Sequence, residues 1–268
     1  MSTTRISMMG VPLDANSSFL RGCAEAPAAV RAALHSGSAN AATEAGLDIV
    51  PLIDDLGDLL LDNTPGSNAD MVTIADAIDA ELTRGRPVIS IGGDHSITYG
   101  TLAGVVRSQG RVSVVHIDAH PDTYDDHDGN PLSHASPFAR AWENDLIERH
   151  TQIGIRTANH HQREQAARFG IQVVPPCELD RVGEVLPDGP VYLTIDLDGL
   201  DPSAAPGVSH HEPGGLTFRE LLDVIDLLRG RIIAADIVEL NPTRDLVDMT
   251  AMVAAKLVKE VAGAILSP

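Results

Sequence analysis

The sequence predicts an α/β fold, namely a single-domain, three-layer α/β/α arrangement over residues 1–268 with a central, mostly parallel sheet. Short apolar runs bounded by Gly or Pro recur along the chain, and helix-length stretches with apolar residues three to four positions apart separate most of them. These runs do not alternate apolar with polar residues, which is typical of strands covered on both faces. No repeat of fixed period and no Gly-, Ser- or Pro-rich linker divides the chain, so we expect one domain.

Eight apolar runs are the predicted strands, in chain order 6–9, 49–53, 88–91, 112–117, 153–155, 173–174, 191–195 and 232–238. Helical spacing is clearest in two sets of apolar residues, which are Val72, Ile78 and Leu82, and Leu221, Leu222, Ile225 and Leu228. The stretch 246–265 is a predicted terminal helix, and the polar connection 122–134 is a predicted loop.

The chain is strongly acidic, with 38 Asp and Glu against 19 Lys and Arg and a net charge of -19. Such a surface repels the phosphates of nucleic acid and suits a cationic small molecule or a divalent metal. Cys23 and Cys177 lie far apart without a CxxC motif, which favours reduced thiols. There is no apolar run of about eighteen residues, and residues 1–9 are too short and polar for a signal peptide. We expect a cytoplasmic protein with no membrane or nucleic-acid partner.

Clusters of His and Asp follow three of the predicted strands. The strand beginning at Val88 leads into Gly-Gly-Asp-His95, the strand beginning at Val112 into Asp118-Ala-His120-Pro-Asp122, and the strand beginning at Val191 into Asp196-Leu-Asp198. In an extended chain, residues two apart share a face, and parallel sheets bind ligands beyond the carboxyl ends of their strands. Each motif alone is weak, but together they predict one shared site.

Four carboxylates gathered in one place would repel one another and raise each other's pKa unless cations neutralised them. Oxygen ligands with a minority of imidazoles suit Mn, Mg or Fe, and a shared Asp would hold two ions roughly 3.5 to 4 Å apart. Such a pair lowers the pKa of a bridging water and provides a nucleophile at neutral pH. The predicted reaction class is therefore metal-assisted hydrolysis.

Distinctive motifs occur along nearly the whole chain. They are Gly10-Val-Pro-Leu-Asp14, Arg21-Gly22 with Pro27 and Arg31, Asp55-Leu-Gly-Asp58, Gly92 to Ser96, Asp118 to Asp122, Asp196 to Pro202, Glu212-Pro-Gly-Gly215 and Glu239-Leu-Asn-Pro242. Together these motifs resemble those of the arginase and agmatinase family of ureohydrolases. The resemblance implies an arginase/deacetylase-like α/β/α domain, assembly into homo-trimers or homo-hexamers, and two Mn2+ per subunit. It also implies hydrolysis of a guanidino group to urea and an amine.

The resemblance also assigns roles to individual residues. One ion would be held by His95, Asp118, Asp122 and Asp196, and the other by Asp118, His120, Asp196 and Asp198. Asp122 would also accept a hydrogen bond from the bridging hydroxide, Glu239 would pair with the substrate guanidinium, and His134 would shuttle protons. Among the other histidines, His116 is a predicted core residue. One of His210 and His211 is expected to contact substrate at the mouth of the site, and His211 is the candidate. The predicted surface histidines are His127, His150, His160 and His161.

The substrate pattern is mixed. Thr123-Tyr124 after the metal motif resembles agmatinases, and the stretch after Arg156 lacks the acidic residues with which arginases bind an α-amino group. These features favour agmatine over arginine. The stretch from Arg156 to Asn159 also resembles formimidoylglutamases, in which Arg or Asn would contact a carboxylate. Formimidoylglutamate, guanidinobutyrate and arginine therefore stay open as alternatives, and Asn159 is a candidate substrate-binding residue.

Two readings come from other functional classes. Zinc-dependent deacetylases of the same broad fold resemble this chain around Asp118 and His120, but they use one metal and lack a counterpart of His95. A catalytically silent binding relative is the other reading. All six predicted ligand positions and Glu239 are filled, which disfavours it.

Overall fold

The computed structural model describes residues 5–267, so the first four residues of the predicted domain and its last lie outside the described part. In residues 5–267, eight strands form one sheet in the order β2-β1-β3-β8-β7-β4-β5-β6, and every pairing is parallel. The strands are β1 (Ile6–Val11), β2 (Ile53–Asp58), β3 (Val88–Gly92), β4 (Val112–Ile117), β5 (Ile147–Ile153), β6 (Gln172–Val174), β7 (Val191–Asp196) and β8 (Ile232–Val238).

Helices cover both faces of the sheet. They are α1 (Ala26–Leu34), α2 (Asn68–Thr83), α3 (Ile97–Gln109), α4 (Pro137–Glu143), α5 (His160–Phe169), α6 (Val182–Val185), α7 (Phe218–Leu227) and α8 (Met249–Leu266). Apolar residues of α1, α7 and α8 pack in one hydrophobic cluster, and those of α2, α3 and α4 pack in another. Along β1, Ile6 and Met8 belong to the first cluster and Met9 and Val11 to the second, because successive side chains point to opposite faces. The predicted three-layer α/β/α fold is confirmed.

Burial explains which strands the apolar runs revealed. Every residue of β1, β3, β4 and β7 is buried. Each of these strands begins where its predicted apolar run begins and ends at most two residues beyond it. The edge strand β2 is different, since its sequence Ile-Asp-Asp-Leu-Gly-Asp is largely exposed. Charged residues on an edge strand disfavour pairing with another chain. No helix of residues 5–267 is long and apolar enough to cross a membrane.

Several predicted element positions were wrong. Residues 50–52 form a 3-10 turn and β2 begins only at Ile53, while β5 ends at Ile153, where the predicted strand begins. The charged pair Glu148 and Arg149 is exposed and conceals the start of β5. In α2 it is Met71, Ile74, Ile78 and Leu82 that are buried, whereas Val72 is 51% exposed. The terminal helix begins at Met249, three residues later than predicted.

The sheet order decides where the functional residues lie. The strands β3, β8, β7 and β4 are neighbours at the centre of the sheet. Asp196 is the last residue of β7, and the segments that follow the carboxyl ends of these strands contain His95, Glu239, Asp198, and Asp118 with Asp122. Residues from four distant segments are thereby brought to one edge of the sheet.

Candidate active site

His95 lies at the centre of a buried group of three carboxylates, which we call the His95 cluster. Its Nδ1 lies 3.1 Å from Asp118 Oδ2, 3.0 Å from Asp122 Oδ2 and 3.3 Å from Asp196 Oδ2. His95 Nε2 lies 3.0 Å from the hydroxyl of Thr194, which holds the ring from the other side. The imidazole is fully buried.

A second group, the His120 cluster, shares Asp118 with the first. His120 Nδ1 lies 3.1 Å from Asp198 Oδ2 and 3.5 Å from Asp118 Oδ1. Asp118 therefore directs one carboxylate oxygen to each cluster. In the pairing of β4 with β7, Ile117 lies opposite Ile195, so the next residues, Asp118 and Asp196, begin side by side.

The local backbone that orients these carboxylates is turned and not extended as predicted. Asp118 Oδ1 accepts a hydrogen bond from the backbone N–H of His120 at 2.6 Å, and Asp196 Oδ1 accepts one from that of Asp198 at 2.8 Å. Asp122 has a φ of +48°, a left-handed conformation that is uncommon outside Gly, Asn and Asp. Short Asx turns after the strands thus place the side chains.

The loop that carries His95 requires glycine for steric reasons. Gly93 N–H donates to Val11 O at 2.9 Å, and Asp94 N–H donates to Leu13 O at 2.7 Å. A Cβ at Gly93 would lie 1.7 Å from the carbonyl oxygen of Leu13, far inside contact distance. The second Gly of Gly-Gly-Asp-His therefore permits the close approach of two backbones that holds His95 in place.

The two clusters fit divalent cations. His95 Nδ1 has no hydrogen-bond partner although three carboxylate oxygens surround it, so its lone pair and the anions face one another. Burial and the neighbouring carboxylates raise the pKa of Asp196 well above its usual range, and burial raises that of Asp198 to about 6. Cations between these groups would remove the repulsion. The oxygen-rich donor set with two imidazoles can hold a pair of divalent ions such as Mn2+ or Mg2+.

Glu239 and His134 form a hydrogen-bonded pair beside the His95 cluster. Glu239 Oε1 accepts from His134 Nδ1 at 2.7 Å and from the backbone N–H of His95 at 2.9 Å. Ser18 N–H lies 3.1 Å from His134 Nε2 and fixes the far side of the ring. The imidazole lowers the pKa of Glu239 to about 2 despite burial, and the carboxylate raises the pKa of His134 to about 9. Glu239 is therefore a buried anion. Its backbone is in the left-handed region, with a φ of +65°.

A cavity of about 230 Å³ opens onto both clusters and this pair. Its lining residues are Ser18, His120, Asp122, Tyr124, His127, His134, Ala135, Thr157, Asn159, Gln162, Asp196, Asp198, His210 and Glu239. Among these lining residues there is no Lys or Arg. We call this space the reaction cavity.

Comparison with known proteins decides the family. The model of the Arginase family matches residues 4–263. The chain belongs to the arginase family. Arginase 1, mitochondrial, from Arabidopsis thaliana is 44% identical over 97% of this chain and 80% of its own length. Agmatinase, mitochondrial, from Gallus gallus is 35% identical over 95% of this chain and 79% of its own length. The solved structure of arginase from Medicago truncatula matches with a TM-score of 0.89 at 38% identity, covering 98% of this chain and 88% of that one.

The resemblance seen in the sequence is thus confirmed, and the chain is an arginase-family ureohydrolase, a hydrolase of C–N bonds in linear amidines. The finer prediction, agmatine as substrate, is not settled by these relatives, because they include both arginases and an agmatinase. Family membership, together with His95 in the first cluster, sets aside the deacetylase reading.

The ureohydrolase brings most of its predicted site residues together. The six predicted ligands lie in the two clusters, Asp122 also lines the reaction cavity, and Glu239 and His134 lie beside them. Asn159 lines the cavity as well, where its Nδ2 donates to the Tyr124 hydroxyl at 2.6 Å. Its Oδ1 accepts from Gln162 N–H at 2.9 Å and caps α5, which fixes the orientation of the amide.

Two substrate contacts suggested by the sequence need correction. His211 is not among the residues that line the reaction cavity, since its Nε2 lies 2.8 Å from Pro206 O, and the neighbouring His210 lines the cavity instead. Arg156 is not free to meet a substrate carboxylate. Its guanidinium contacts five backbone carbonyls, those of Gly154, Asp198, Gly199, Leu200 and Glu212, at 2.5 to 3.2 Å.

Other histidines also differ from their predicted environments. His150 was expected at the surface but is 2% exposed, and the half-buried His127 lines the reaction cavity. His116 is buried as expected, yet its Nε2 lies 2.7 Å from Asp118 Oδ2. Alternation along a strand puts His116 and Asp118 on one face, a signal that could have revealed this contact. His160 is exposed as predicted, with its side chain 84% accessible, and His161 is half-buried, with its side chain 41% accessible.

Proposed function

We propose that this chain is an agmatinase-like enzyme that holds two Mn2+ and hydrolyses agmatine to putrescine and urea. The observation that carries the proposal is the charge of the reaction cavity. Two Mn2+ would neutralise the four carboxylates of the clusters, and the cavity would then retain the anion Glu239, with no Lys or Arg among its lining residues. The loop that supplies Tyr124 and His127 also carries Asp125, Asp126 and Asp128. A substrate with a cation at each end suits such surroundings.

The two clusters supply the metal ligands in this proposal. His95, Asp118, Asp122 and Asp196 would hold one ion, and Asp118, His120, Asp196 and Asp198 the other. When bound, such an ion pair supplies a nucleophile from water at neutral pH. Asp122 lines the cavity and would accept a hydrogen bond from the attacking group.

Glu239 is the group we assign to the guanidinium. Its low pKa keeps it ionised at every physiological pH, and it faces the reaction cavity from beside the His95 cluster. A planar cation with forked N–H donors is well matched by a carboxylate. Holding the guanidinium there fixes the orientation of its carbon toward the metal ligands, which supplies part of the rate enhancement.

His134 is the group we assign to proton transfer. The departing amine must be protonated, and an imidazole whose pKa is raised to about 9 is basic enough to take up a proton and pass it to the amine. The ring is 7% exposed and borders the reaction cavity, with Nδ1 on Glu239 and Nε2 toward Ser18. Glu239 thus binds the substrate and maintains the proton on His134.

Arginine is the second candidate, because Arginase 1 from Arabidopsis thaliana is 44% identical to this chain. Its α-carboxylate would have to be held by neutral donors of the cavity such as Asn159, Tyr124 and Thr157. Substrates whose tail is only a carboxylate, such as guanidinobutyrate and formimidoylglutamate, are disfavoured since Arg156 is occupied by backbone carbonyls.

A substrate panel tests the proposal. Protein loaded with Mn2+ is assayed for urea release from agmatine, arginine and guanidinobutyrate, and for formamide release from formimidoylglutamate. We expect the highest kcat/KM with agmatine, and a rise in KM for agmatine when Asp125, Asp126 and Asp128 are replaced together by Asn. Turnover of arginine alone would reject the agmatine assignment, and inertness toward every substrate would favour a silent relative.

The remaining features are proposed on the family resemblance. We propose one ureohydrolase domain over residues 1–268 and assembly into homo-trimers or homo-hexamers, which light scattering after size-exclusion chromatography would measure. The cytoplasmic location stays a prediction, and the name of the Arabidopsis relative places that protein in mitochondria. Microscopy of the tagged chain in its own cell would test it.

A further inference from the structure

Two buried side chains behind the metal-binding carboxylates form a network that the proposed function does not use. His116 lies on β4, two residues before Asp118, and Gln152 lies opposite His116 on the neighbouring strand β5. Both side chains are fully buried. They therefore face the interior behind Asp118 and away from the reaction cavity, whose lining does not include them.

The network has three contacts. His116 Nε2 lies 2.7 Å from Asp118 Oδ2, the oxygen that points into the His95 cluster. Gln152 Nε2 lies 2.8 Å from the carbonyl oxygen of Pro121 and 3.2 Å from His116 Nδ1. Pro121 stands between His120 and Asp122, so the same amide touches the ligand-bearing loop and the imidazole behind it.

These contacts determine which nitrogen of His116 carries the proton. A carbonyl oxygen only accepts hydrogen bonds, so Gln152 must present its NH₂ group to Pro121. The second hydrogen of that NH₂ group is then donated to His116 Nδ1, which is the acceptor. The proton of the neutral ring is left on Nε2, where it is donated to Asp118 Oδ2.

Packing holds both side chains in this arrangement. The His116 ring stacks on Phe138 with centroids 4.1 Å apart and meets the edge of the His95 ring at 5.1 Å. Gln152 Oε1 is buried without a hydrogen-bond partner. An unpaired buried acceptor is unfavourable for stability, and such a group in a folded protein calls for a functional explanation.

We propose that His116 and Gln152 are positioning residues that orient Asp118 for metal binding, with Gln152 setting the tautomer of His116. This inference rests on the proposed metal centre. His116 lies close enough to His95 and Asp118 to be a ligand itself, but its Nε2 donates a proton and so has no lone pair to offer an ion. Groups that hydrogen-bond to a metal ligand fix its orientation and raise metal affinity.

Three variants test the assignment. His116→Phe retains a ring to stack on Phe138 but removes the donor, and Gln152→Met removes the amide that sets the tautomer. His150→Phe is the matched control, because His150 is a buried histidine stacked 5.5 Å from His116 whose one described hydrogen bond comes from Trp142. Calorimetric titration of the metal-free proteins with Mn2+ gives the Kd, elemental analysis gives the ions bound per chain, and thermal melts give the Tm without metal.

We expect His116→Phe to raise the Kd for Mn2+ about 10- to 100-fold, and Gln152→Met to raise it less. His150→Phe should keep the wild-type Kd, and the metal-free Tm of His116→Phe should match that of His150→Phe. A wild-type Kd in His116→Phe, or an equal loss in His150→Phe, would overturn the proposal. Loss of one bound ion in His116→Phe with a wild-type Kd in Gln152→Met would make His116 a ligand instead. Wild-type protein that binds no Mn2+ would refute the metal centre itself.

Discussion

Replacement of Glu239 by Gln separates substrate binding from metal binding. The amide oxygen can still accept from His134 Nδ1 and His95 N–H, which lie 2.7 and 2.9 Å from Oε1, so the loop after β8 should keep its place. What disappears is the negative charge that faces the reaction cavity. We therefore expect the variant to bind metal as the wild type does and to lose affinity for the transition state.

The size of that loss follows from the contact removed. A hydrogen bond to a charged group contributes roughly 1.5 to 3 kcal/mol, and each 1.36 kcal/mol is a factor of about ten in rate. Loss of one charged contact with the guanidinium should lower kcat/KM about 10- to 150-fold. A loss beyond that range would measure the second role proposed for Glu239, which is to maintain the proton on His134 through their 2.7 Å hydrogen bond.

The assay is urea release with agmatine as a function of concentration, together with the metal content of the same samples. Glu164→Gln is the control, because this carboxylate on α5 is 65% exposed and is not among the residues lining the cavity. Loss of both ions from Glu239→Gln would show that the residue belongs to the metal centre. An unchanged kcat/KM would show that the guanidinium is bound elsewhere.

Three further predictions concern the metals, the proton and the pH. Asp118→Asn removes the charge shared by the two clusters, so elemental analysis should find metal lost and the urea assay no turnover; full metal content would contradict the shared role. His134→Ala should lower kcat with metal content intact, whereas wild-type kcat would argue against proton transfer by this ring. In metal-free protein, the pKa of His134 is raised from 6.5 to about 9, a contribution to stability that is complete below pH 6.5 and lost as the pH rises through about 9. The pKa of Glu239 is lowered from 4.5 to about 2, a contribution that is complete above pH 4.5 and lost as the pH falls through about 2. The difference in unfolding free energy between wild type and Glu239→Gln should therefore be largest between pH 4.5 and 6.5 and fall toward pH 9. Urea denaturation over a pH series would measure this difference. A difference that stays constant up to pH 9 would refute the pairing of Glu239 with His134.

Central strands were predictable because burial on both faces leaves a local record in the residue types. Runs such as 88–91 and 191–195 are apolar since helices cover both sides of β3 and β7, and the observed strands extend these runs by one residue. The strand β5 escaped prediction because its exposed Glu148 and Arg149 interrupt the apolar pattern. Where a strand is partly exposed, its solvent-facing positions accept charged residues, and the apolar run that would predict the strand is interrupted.

The candidate site was likewise predictable in part from the sequence. Asp118, His120, Asp122, Asp196 and Asp198 could be grouped in advance, because parallel strands end at a common edge and ligands bind there. The directions of these carboxylates could not be predicted from an extended chain, because short turns and the left-handed backbone at Asp122 determine them.

By itself, the amino-acid sequence determined the fold class, the family and the set of side chains that can bind two cations, because each is recorded in short stretches of chain. Only the tertiary structure decided which groups neighbour those side chains. The pairing of His134 with Glu239 joins residues 105 positions apart, and the carbonyls that occupy Arg156 come from two separate loops. Hydrogen bonds act over about 3 Å, so a contact between distant segments exists only after the sheet order and the loop paths have brought them together.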